Sequence, residues 1–461
     1  MAQPTPEQWR DKLSMDLRAR QSDITRLDRY YRGDHPLPWA PRDVRDAYLA
    51  LMRMARTNLC RLIVDITSER LRVTGVRFSK GALGLDAWER YWQSNNLDIE
   101  SRMVHESALK VRRGFVLVWP NEKDGLPPTI TPEHPSQVIV EYEPGNRRNR
   151  LAGYKEFVDT TARKKFSTLW TSEKVYNWTA DWYGIRQISS PVWGPWTDED
   201  SGIYSEADNP LGEVPLVEFL AKPVLVGEPM GELDGGITDV QDRINKGILD
   251  RMVTSNFASF PQKWATGLEI PKDDKGRDVE PFKNAVNRLF TNENPEGKFG
   301  VFEVADLAGY LASHDRDVRD MAVMSRIPAT YLLGELGRVE SGTGLTATET
   351  SLSEKGKERI DSLTESWEVA MRLALKADND PRSEDMAMAM VWKNTEHWSE
   401  SERADAASKL VAVGVPWRNV MEFLGYTDSQ IADMDRNRAE DAANGFLAQP
   451  PAVAAATVPA A

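Results

Sequence analysis

The sequence predicts an α+β chain that is mainly helical and has several regions with separate cores. Three patterns carry this prediction: helical spacing of apolar residues in the N-terminal and the later segments, alternating apolar residues between residues 114 and 220, and a polar, proline-punctuated stretch between two long helical segments. The 461 residues, of which 41 % are hydrophobic and 28 % charged, are enough for two or three domains.

The first element is a helix that begins after Thr5, with Pro6 in its first turn and Gln8 placed to complete a capping box. Gly33 ends it, and the prolines that follow prevent its continuation. Apolar residues recur along it at helical spacing: Leu13, Leu17, Ile24, Leu27 and Tyr31. A second helix is expected with one apolar face formed by Leu51, Ala55, Leu59, Leu62 and Ile66, and a third over about residues 85–111.

Strands are predicted from Gly114 onward, where the apolar period changes to two. The segments are GFVLVWP, SQVIVEYEP, LAGYKEFV, FSTLWTSEKVYNWTADWYGI and GEVPLVEFLAKP. Five tryptophans crowd this region: Trp170, Trp178, Trp182, Trp193 and Trp196. Aromatic side chains of this kind can stack on single-stranded nucleic acid, but few lysines or arginines lie beside them, so packing within a sheet is favoured.

Two long helices flank the polar, proline-punctuated segment at residues 261–303, which is expected to form a small α+β module. The first begins at Ile237 and has apolar residues on adjoining stripes: Ile237, Val240, Ile244, Ile248 and Met252, with Leu249, Val253 and Phe257 beside them. The second begins near Ala305 and stops at Ile327-Pro328. A glycine-rich loop leads to a third long helix from about Thr346 past Leu375, and three short helices follow, the last capped by Thr427 and Gln430.

Composition excludes several classes of protein. The 58 basic and 71 acidic side chains give a net charge of −13, which is unlike a protein that grips duplex DNA by neutralising its phosphates. Cys60 is the single cysteine, so neither an intrachain disulfide nor a cysteine cluster for zinc is expected. The N-terminal segment lacks the apolar core of a signal peptide, and no apolar run is long enough to cross a bilayer, so assembly in the cytoplasm is expected.

Motifs of enzymes and cofactor sites are missing from the sequence. It has no zinc-binding H-E-x-x-H, no phosphate-binding P-loop and no G-x-S-x-G nucleophile turn. The stretch DDKGRD (273–278) resembles a calcium loop, but its glycine is misplaced and no glutamate completes it. No cofactor or metal is therefore expected. A diffuse active site among Asp34, His35, Glu133 and His134 remains one alternative.

The order of the long helices predicts a ring. A helix that leads out to a small module and a second helix that returns form a stalk, and the apolar surface of the first helix exceeds what one partner covers. Several copies packed around an axis would bury it.

In the order of these elements and in several short segments, the chain resembles the bacteriophage portal protein family, in particular its SPP1-type branch. The resemblance is spread in order along about nine-tenths of the chain. It lies in LDRYYRGDHPL, RTNLCRLIVDITSERL, GEVPLVEFLAKP, ITDVQDRINKGILDRMVTSNFASFPQKWATG, SRIPATYLLGELGRVESGTGLTATE and GVPWRNVMEFLGYTDSQI. Each segment is a structural pattern and not a catalytic signature, so the resemblance depends on the order in which the segments occur.

The resemblance implies a portal fold assembled as a ring, usually of twelve subunits, at one vertex of the capsid of a virion. The implied regions are a wing (1–235), stem helix 1 (236–260), a clip (261–304), stem helix 2 (305–328), a tunnel loop region (329–345), a long wing helix and return (346–395), a crown (396–440) and a disordered tail (441–461). The implied partners are double-stranded DNA moving through the axis, terminase, head-completion or adaptor proteins, and the major capsid and scaffold proteins; no membrane is involved.

The resemblance also suggests which residues line the channel and which dock partner proteins. The tunnel loop would place Glu335, Gly337, Arg338, Glu340, Gly342 and Gly344 in the channel. Arg243, Lys246 and Arg251 would put positive charge near the channel, although pairing with nearby carboxylates explains them equally well. Lys272, Asp273, Lys275 and Arg277 would dock partners at the clip. The second alternative to a DNA-conducting ring is a virion scaffold or adaptor that binds partners through the aromatic sheet.

Overall fold

A computed structural model describes most of the chain in two units. The described residues are 4–42, 45–79, 82–121, 123, 125–184, 191–259, 263–266, 298–301, 306–334, 342–396 and 400–443. The first unit comprises residues 1–35, 58–238 and 322–461, and the second comprises residues 36–57 and 239–321.

The helices and strands follow the predicted order. The helices are α1 (Pro6–Arg32), α2 (Arg45–Ala55), α3 (Leu59–Ser68), α4 (Leu85–Ala87), α5 (Leu97–Val111), α6 (Ile237–Ser259), α7 (Ala308–Ser325), α8 (Ala329–Leu333), α9 (Gly342–Ala377), α10 (Glu400–Ala412), α11 (Trp417–Phe423) and α12 (Asp428–Ala443). The strands are β1 (Val73–Phe78), β2 (Ala82–Leu83), β3 (Arg113–Trp119), β4 (Thr129–Glu133), β5 (Val138–Glu143), β6 (Asn146–Asp159), β7 (Lys164–Thr171), β8 (Lys174–Asp181), β9 (Gly194–Pro195), β10 (Glu206–Asp208), β11 (Leu216–Leu220), β12 (Lys263–Thr266), β13 (Lys298–Val301) and β14 (Ala389–Trp392).

Helix α1 confirms both predicted ends. The Thr5 hydroxyl accepts from the Gln8 N–H at 3.3 Å, and the Gln8 side chain accepts from the Thr5 N–H at 2.9 Å. Gly33 closes the helix with φ of 76°, and its N–H donates to carbonyls of the last turn. The apolar stripe is buried at Leu13, Leu17, Ile24 and Leu27. The turn at Arg32-Gly33-Asp34 is therefore the end of a helix.

The predicted second helix is two helices, so that prediction was wrong. Helix α2 ends at Ala55, and Asn58 begins α3 by accepting a hydrogen bond from the Arg61 N–H at 3.0 Å. An asparagine that caps a new helix competes with continuation of the old one, because its side chain replaces the missing backbone acceptor.

The predicted third helix is also interrupted. After α4 comes a π-helical turn (Trp88–Gln93), and Asn96 then adopts a left-handed conformation with φ of 54° before α5 begins. Asparagine tolerates this conformation better than most residues, so it can break a helix without glycine.

The strands of the first unit form three antiparallel sheets. One has the order β10-β8-β7-β6-β5, with β9 also paired to β8; the others are β11-β3-β4 and β14-β1-β2. All the pairings within these three sheets are antiparallel.

The meander of β5 to β8 is buried on both faces. On one face, Leu13 and Leu17 of α1 pack with Ile139, Ala152, Tyr154, Leu169 and Trp178. On the other, Phe115 and Leu216 pack with Val138, Val140, Trp170, Val175 and Val214. Trp170 and Trp178 thus lie in the two cores, which confirms that the aromatic residues pack the sheet.

Helix α9 begins at Gly342, four residues before the predicted start at Thr346. Its C-terminal half is apolar where it is buried, at Leu363, Trp367, Ala370, Met371 and Ala374. The buried residues of its N-terminal half are mostly polar or charged, at Glu349, Ser353, Lys355 and Arg359, with the apolar Leu352 among them. One helix therefore has two kinds of contact along its length.

Three short helices, α10 to α12, follow as predicted. Thr427 and Gln430 form the expected capping pair at the start of α12, with hydrogen bonds of 3.0 and 3.3 Å. Arg77 of β1 joins this region to the sheet through ion pairs with Asp428 at 2.8 Å and Glu422 at 2.7 Å.

The second unit contains α2, the β12–β13 hairpin and most of α6 and α7. The apolar stripe of α6 is already buried within one chain at Val240, Ile244, Ile248 and Leu249. Among the described residues of the predicted stripes, Met252 and Val253 are half-buried, so one chain covers more of this apolar surface than the sequence pattern indicated.

Candidate functional site

The structure describes the predicted site residues on the long helices. Arg243, Lys246 and Arg251 lie on α6, and Gly342 and Gly344 lie in the first turn of α9. The other predicted residues lie outside the described part of the chain: Glu335, Gly337, Arg338 and Glu340 of the tunnel loop, and Lys272, Asp273, Lys275 and Arg277 of the clip.

Two of the three predicted cations of α6, Arg243 and Lys246, have acidic partners in the same chain. Arg243 is bonded to Asp317 of α7 at 2.9 Å and lies 3.2 Å from Asp320. Lys246 pairs with Asp250, one turn along α6. Pairs of this exposure contribute about 0–1 kcal/mol each, so they neutralise charge more than they stabilise the fold. These contacts favour pairing over direct contact with a polyanion for Arg243 and Lys246.

A buried amide group fixes the start of α6 in the second unit. Asn245 is 1 % exposed, and its side-chain oxygen accepts from the Thr57 N–H and hydroxyl, both at 3.0 Å. Gln241 donates to the same oxygen at 3.1 Å and to the Thr57 carbonyl at 3.2 Å. Sequence reasoning missed this group, because a periodic pattern treats Asn245 and Gln241 as ordinary polar positions on a helix.

The buried apolar side chains of helix α7 lie in its C-terminal half. Val318 and Met321 are buried, whereas Leu311 is half exposed. Arg316 is 80 % exposed and lies 3.5 Å from Asp320. Val323 is 78 % exposed, so apolar side chains of α7 are open in the single chain at Val323 as well as at Leu311.

The hairpin of β12 and β13 is the described base of the predicted clip. Trp264 faces Gly300 across the pair, and a Cβ at Gly300 would lie 2.3 Å from the indole. Only glycine fits there without displacing the tryptophan, so this pairing specifies the register of the hairpin.

The polar half of α9 makes buried contacts within the first unit. Glu349 is 3 % exposed, accepts from the Tyr331 hydroxyl of α8 and lies 3.5 Å from Arg70. Burial, and then the Glu349 carboxylate, raise the pKa of Tyr331 to about 12. Arg70 also donates to the Thr395 carbonyl at 2.7 Å. Farther along α9, burial lowers the pKa of Lys355, which the neighbouring Glu232 opposes.

The four residues of the possible active site have other surroundings. His35 is fully buried and stacks on Tyr30, with ring centroids 5.2 Å apart. Glu133 pairs with Lys155, and His134 lies 2.7 Å from the Ser136 hydroxyl. Asp34 is exposed and lies 3.7 Å from Arg29. These contacts explain the four residues as parts of the fold.

Other kinds of site were sought in the described ranges. Among those residues, no three or more His, Cys, Asp or Glu side chains are grouped so that they could hold a metal ion. Over the same part of the chain, no helix combines the length and the apolar character needed to span a bilayer.

Comparison with known families gives one extensive match. The family model described as "Phage portal protein, SPP1 Gp6-like" matches residues 11–440. The match includes α6, α7 and α9 and the segments between them.

Similar individual proteins come from two phages and a gene transfer agent. The portal proteins of Mycobacterium phages D29 and L5 are each 25 % identical to this chain, over 410 and 414 residues; the alignments cover 85 % of this chain and 81 % and 80 % of those proteins. A chain from the neck of a native gene transfer agent particle, computed with C12 symmetry, is 11 % identical with a TM-score of 0.44, covering 85 % of this chain and 95 % of that chain. A chain from the virion of the native particle is 11 % identical with a TM-score of 0.42, covering 83 % and 92 %.

Proposed function

The chain belongs to the SPP1 Gp6-like family of phage portal proteins, and on that premise we propose that it forms a closed ring at one vertex of a phage capsid. The ring has twelve copies, and double-stranded DNA passes through its axis during packaging and ejection. The family match over residues 11–440 carries this proposal. The family is a structural one, and the proposal includes no catalytic step.

The charge distribution supports a channel through which DNA slides. The net charge of −13 disfavours tight binding of phosphates. Arg243 and Lys246 are neutralised by carboxylates of their own chain, so they add little attraction for DNA. In this proposal α6 and α7 form the stem, and residues 335–344, including Arg338 and Glu340, project into the channel.

We place partner docking at the clip, residues 261–304. Terminase binds there during packaging and head-completion proteins bind afterwards, with Lys272, Asp273, Lys275 and Arg277 as contacts. The major capsid protein and scaffold meet the ring elsewhere, and assembly takes place in the host cytoplasm. The β12–β13 hairpin supports this placement, because it gives the module a defined base.

The oligomeric state tests the proposal. The full chain is purified and measured by native mass spectrometry and negative-stain imaging, alone and together with the scaffold protein of its phage. We expect a closed ring with an axial hole. A chain that stays monomeric at micromolar concentration even with scaffold would contradict the proposed ring and would favour the alternative of a scaffold or adaptor protein.

The adaptor alternative needs an accessible aromatic sheet. Trp170 and Trp178 are 6 % and 8 % exposed, so neither offers a surface to a partner. This observation disfavours the adaptor.

A further inference from the structure

Three charged side chains meet in the interior of the first unit, and we call Glu232, Lys355 and Arg359 the ionic cluster. Lys355 Nζ lies 2.5 Å from one carboxylate oxygen of Glu232, and Arg359 Nε donates to the other at 2.8 Å. Their side chains are 4 %, 1 % and 7 % exposed in that order. The cluster thus places two cations on a single carboxylate, out of contact with water.

The ionic cluster also reaches the end of a helix. Lys355 Nζ donates to the carbonyl of Ser325, the last residue of α7, at 3.0 Å. Carbonyls in the last turn of a helix have no partner within the helix, and a cation there is favourable. One lysine of α9 therefore connects Glu232, in the segment before α6, to the end of α7.

A second buried contact fixes the same half of α9. Glu349 accepts from Tyr331 of α8 and faces Arg70. Glu349, Lys355 and Arg359 lie in the N-terminal half of α9, whereas the buried side chains of this helix from Leu363 onward are apolar. Apolar packing tolerates small shifts, but directional bonds between buried charges fit one arrangement only.

We propose that Glu232, Lys355 and Arg359 are positioning residues that fix one register of α9 against the last turn of α7. Stability alone does not account for them, because replacing a buried ionic group by apolar side chains of similar volume is often neutral or stabilising. Such a replacement does remove the directional hydrogen bonds between the charged groups, and with them the contacts that fit a single arrangement of the two helices. The described helices on either side of residues 335–341 are thereby held in place by side chains distant from that segment in sequence.

The test separates an effect of the ionic cluster on the position of the end of α7 from an effect on the stability of the whole chain. In the triple variant E232M/K355M/R359M no charge of the cluster remains, so the midpoint of urea unfolding is expected to stay the same or rise. Hydrogen exchange of amides in 322–333 is expected to accelerate by about tenfold or more, because the bond from a charged donor is lost. Amides in 363–375 should keep their rates.

Single variants keep the test decisive even where the triple variant does not fold. K355M leaves the Glu232–Arg359 pair and removes the bond to Ser325, so it should accelerate exchange at 322–333 alone. E232Q removes the carboxylate that the two buried cations share, while Arg359 keeps Glu358 at 3.3 Å, and it should lower the unfolding midpoint more than K355M does. The matched control is K357M, since Lys357 is half exposed on the same helix and pairs with Glu354 and Glu396.

Two outcomes overturn the proposal. If both the triple variant and K355M keep wild-type exchange at 322–333, the cluster does not position α7. If exchange accelerates equally at 322–333 and 363–375, the cluster contributes general stability only.

The consequence for DNA rests on the proposed function. In particles assembled with K355M we expect rings of normal mass and less nuclease-protected DNA than with K357M. A wild-type chain that forms no ring would contradict the proposed function, while the exchange measurements would still decide the role of the cluster.

Discussion

His105 shows how burial sets the chemistry of a single residue. It is fully buried, its Nε2 accepts from Trp367 Nε1 at 2.8 Å, and its Nδ1 lies 3.2 Å from the Leu71 carbonyl. The carbonyl can only accept, so the hydrogen of the neutral ring belongs on Nδ1. Burial lowers the pKa of His105 to about 3, since a charged imidazole would be desolvated and would meet the Trp367 N–H.

The first prediction concerns pH. The folded-state pKa of His105 is lower than the unfolded value of about 6.5, so below that pH the unfolded chain binds the proton and the folded chain does not. Stability from this residue is complete above pH 6.5 and falls by about 1.4 kcal/mol per pH unit as the pH decreases toward 3. Urea unfolding at pH 7 and pH 5, at one protein concentration, measures the loss.

His105→Gln provides the comparison, because glutamine can accept from Trp367 and donate to Leu71 without titrating. We expect it to be less stable at pH 7 and to lose less stability at pH 5 than the wild type. Equal losses in the two proteins would show that other groups cause the pH dependence.

The second prediction concerns Gly33, which ends α1. A Cβ there would lie 3.0 Å from the Asn58 side-chain nitrogen, and φ of 76° disfavours any other residue. Gly33→Ala is therefore expected to lower the free energy of unfolding by about 1–2 kcal/mol from backbone strain, and further through Asn58, which donates to the Tyr31 carbonyl. Chemical denaturation measures the change.

Gly145→Ala is the matched control, since Gly145 has φ of 85° but no atom near the position of a Cβ. It should show the strain without the contact. A Gly33→Ala effect no larger than the control would show that Asn58 adjusts freely.

At the scale of elements, Arg77 joins the C-terminal helices to a sheet. Its guanidinium bonds Asp428 of α12 and Glu422 of α11, and Asp428 is 6 % exposed. The three short helices bury few apolar side chains, namely Ala407, Val420 and Ile431 among those described. Such a small core contributes little, so the attachment depends strongly on this arginine.

The third prediction follows. Arg77→Met leaves the buried Asp428 without its charged partner, so α11 and α12 should detach by local unfolding at a cost lower by about 2–4 kcal/mol. Hydrogen exchange should accelerate in residues 417–443 and not in β6 or β7. Arg436→Met removes an exposed pair with Asp433 and should change neither region.

Elements set by neighbouring residues could be predicted from the sequence. The Thr5–Gln8 and Thr427–Gln430 caps, Gly33 and the strand period all depend on a few adjacent positions, and all were confirmed. The break at Asn58 was missed because the same apolar stripe continues on both sides of it. The ionic cluster was missed because Arg359 and Glu232 are 127 residues apart, and only the folded chain brings them together.

At the scale of the whole molecule, the net negative charge and the ion pairs of Arg243 and Lys246 have the same effect: both weaken attraction for a polyanion. In the proposed ring the charge of each copy is repeated around the axis, and strong local attraction in the channel would retain DNA that the proposal requires to move. The predicted loop residues 335–341 and clip residues 272–277 remain predictions, since they lie outside the described part of the chain.

The fourth prediction tests the tunnel loop. Deleting residues 335–341 leaves α9 complete, so ring assembly should persist in native mass spectrometry. The amount of nuclease-protected DNA per particle should fall, because the proposed contact with DNA is lost. Truncation after residue 443 is the control and should package normally. Normal packaging by the loop deletion would show that this segment does not act on DNA.

The outer strands of the large sheet have one more consequence. Strand β9 places Pro195 opposite Trp178, β10 is a three-residue strand with two acids, and β5 carries Glu141, which pairs with Lys12 at 2.6 Å. Proline and charge at a sheet edge resist the addition of another strand. A ring gathers many copies at very high local concentration, where exposed edges would invite aggregation. In the proposed ring, these sheet edges would let neighbouring copies lie close together without adding strands to one another's sheets.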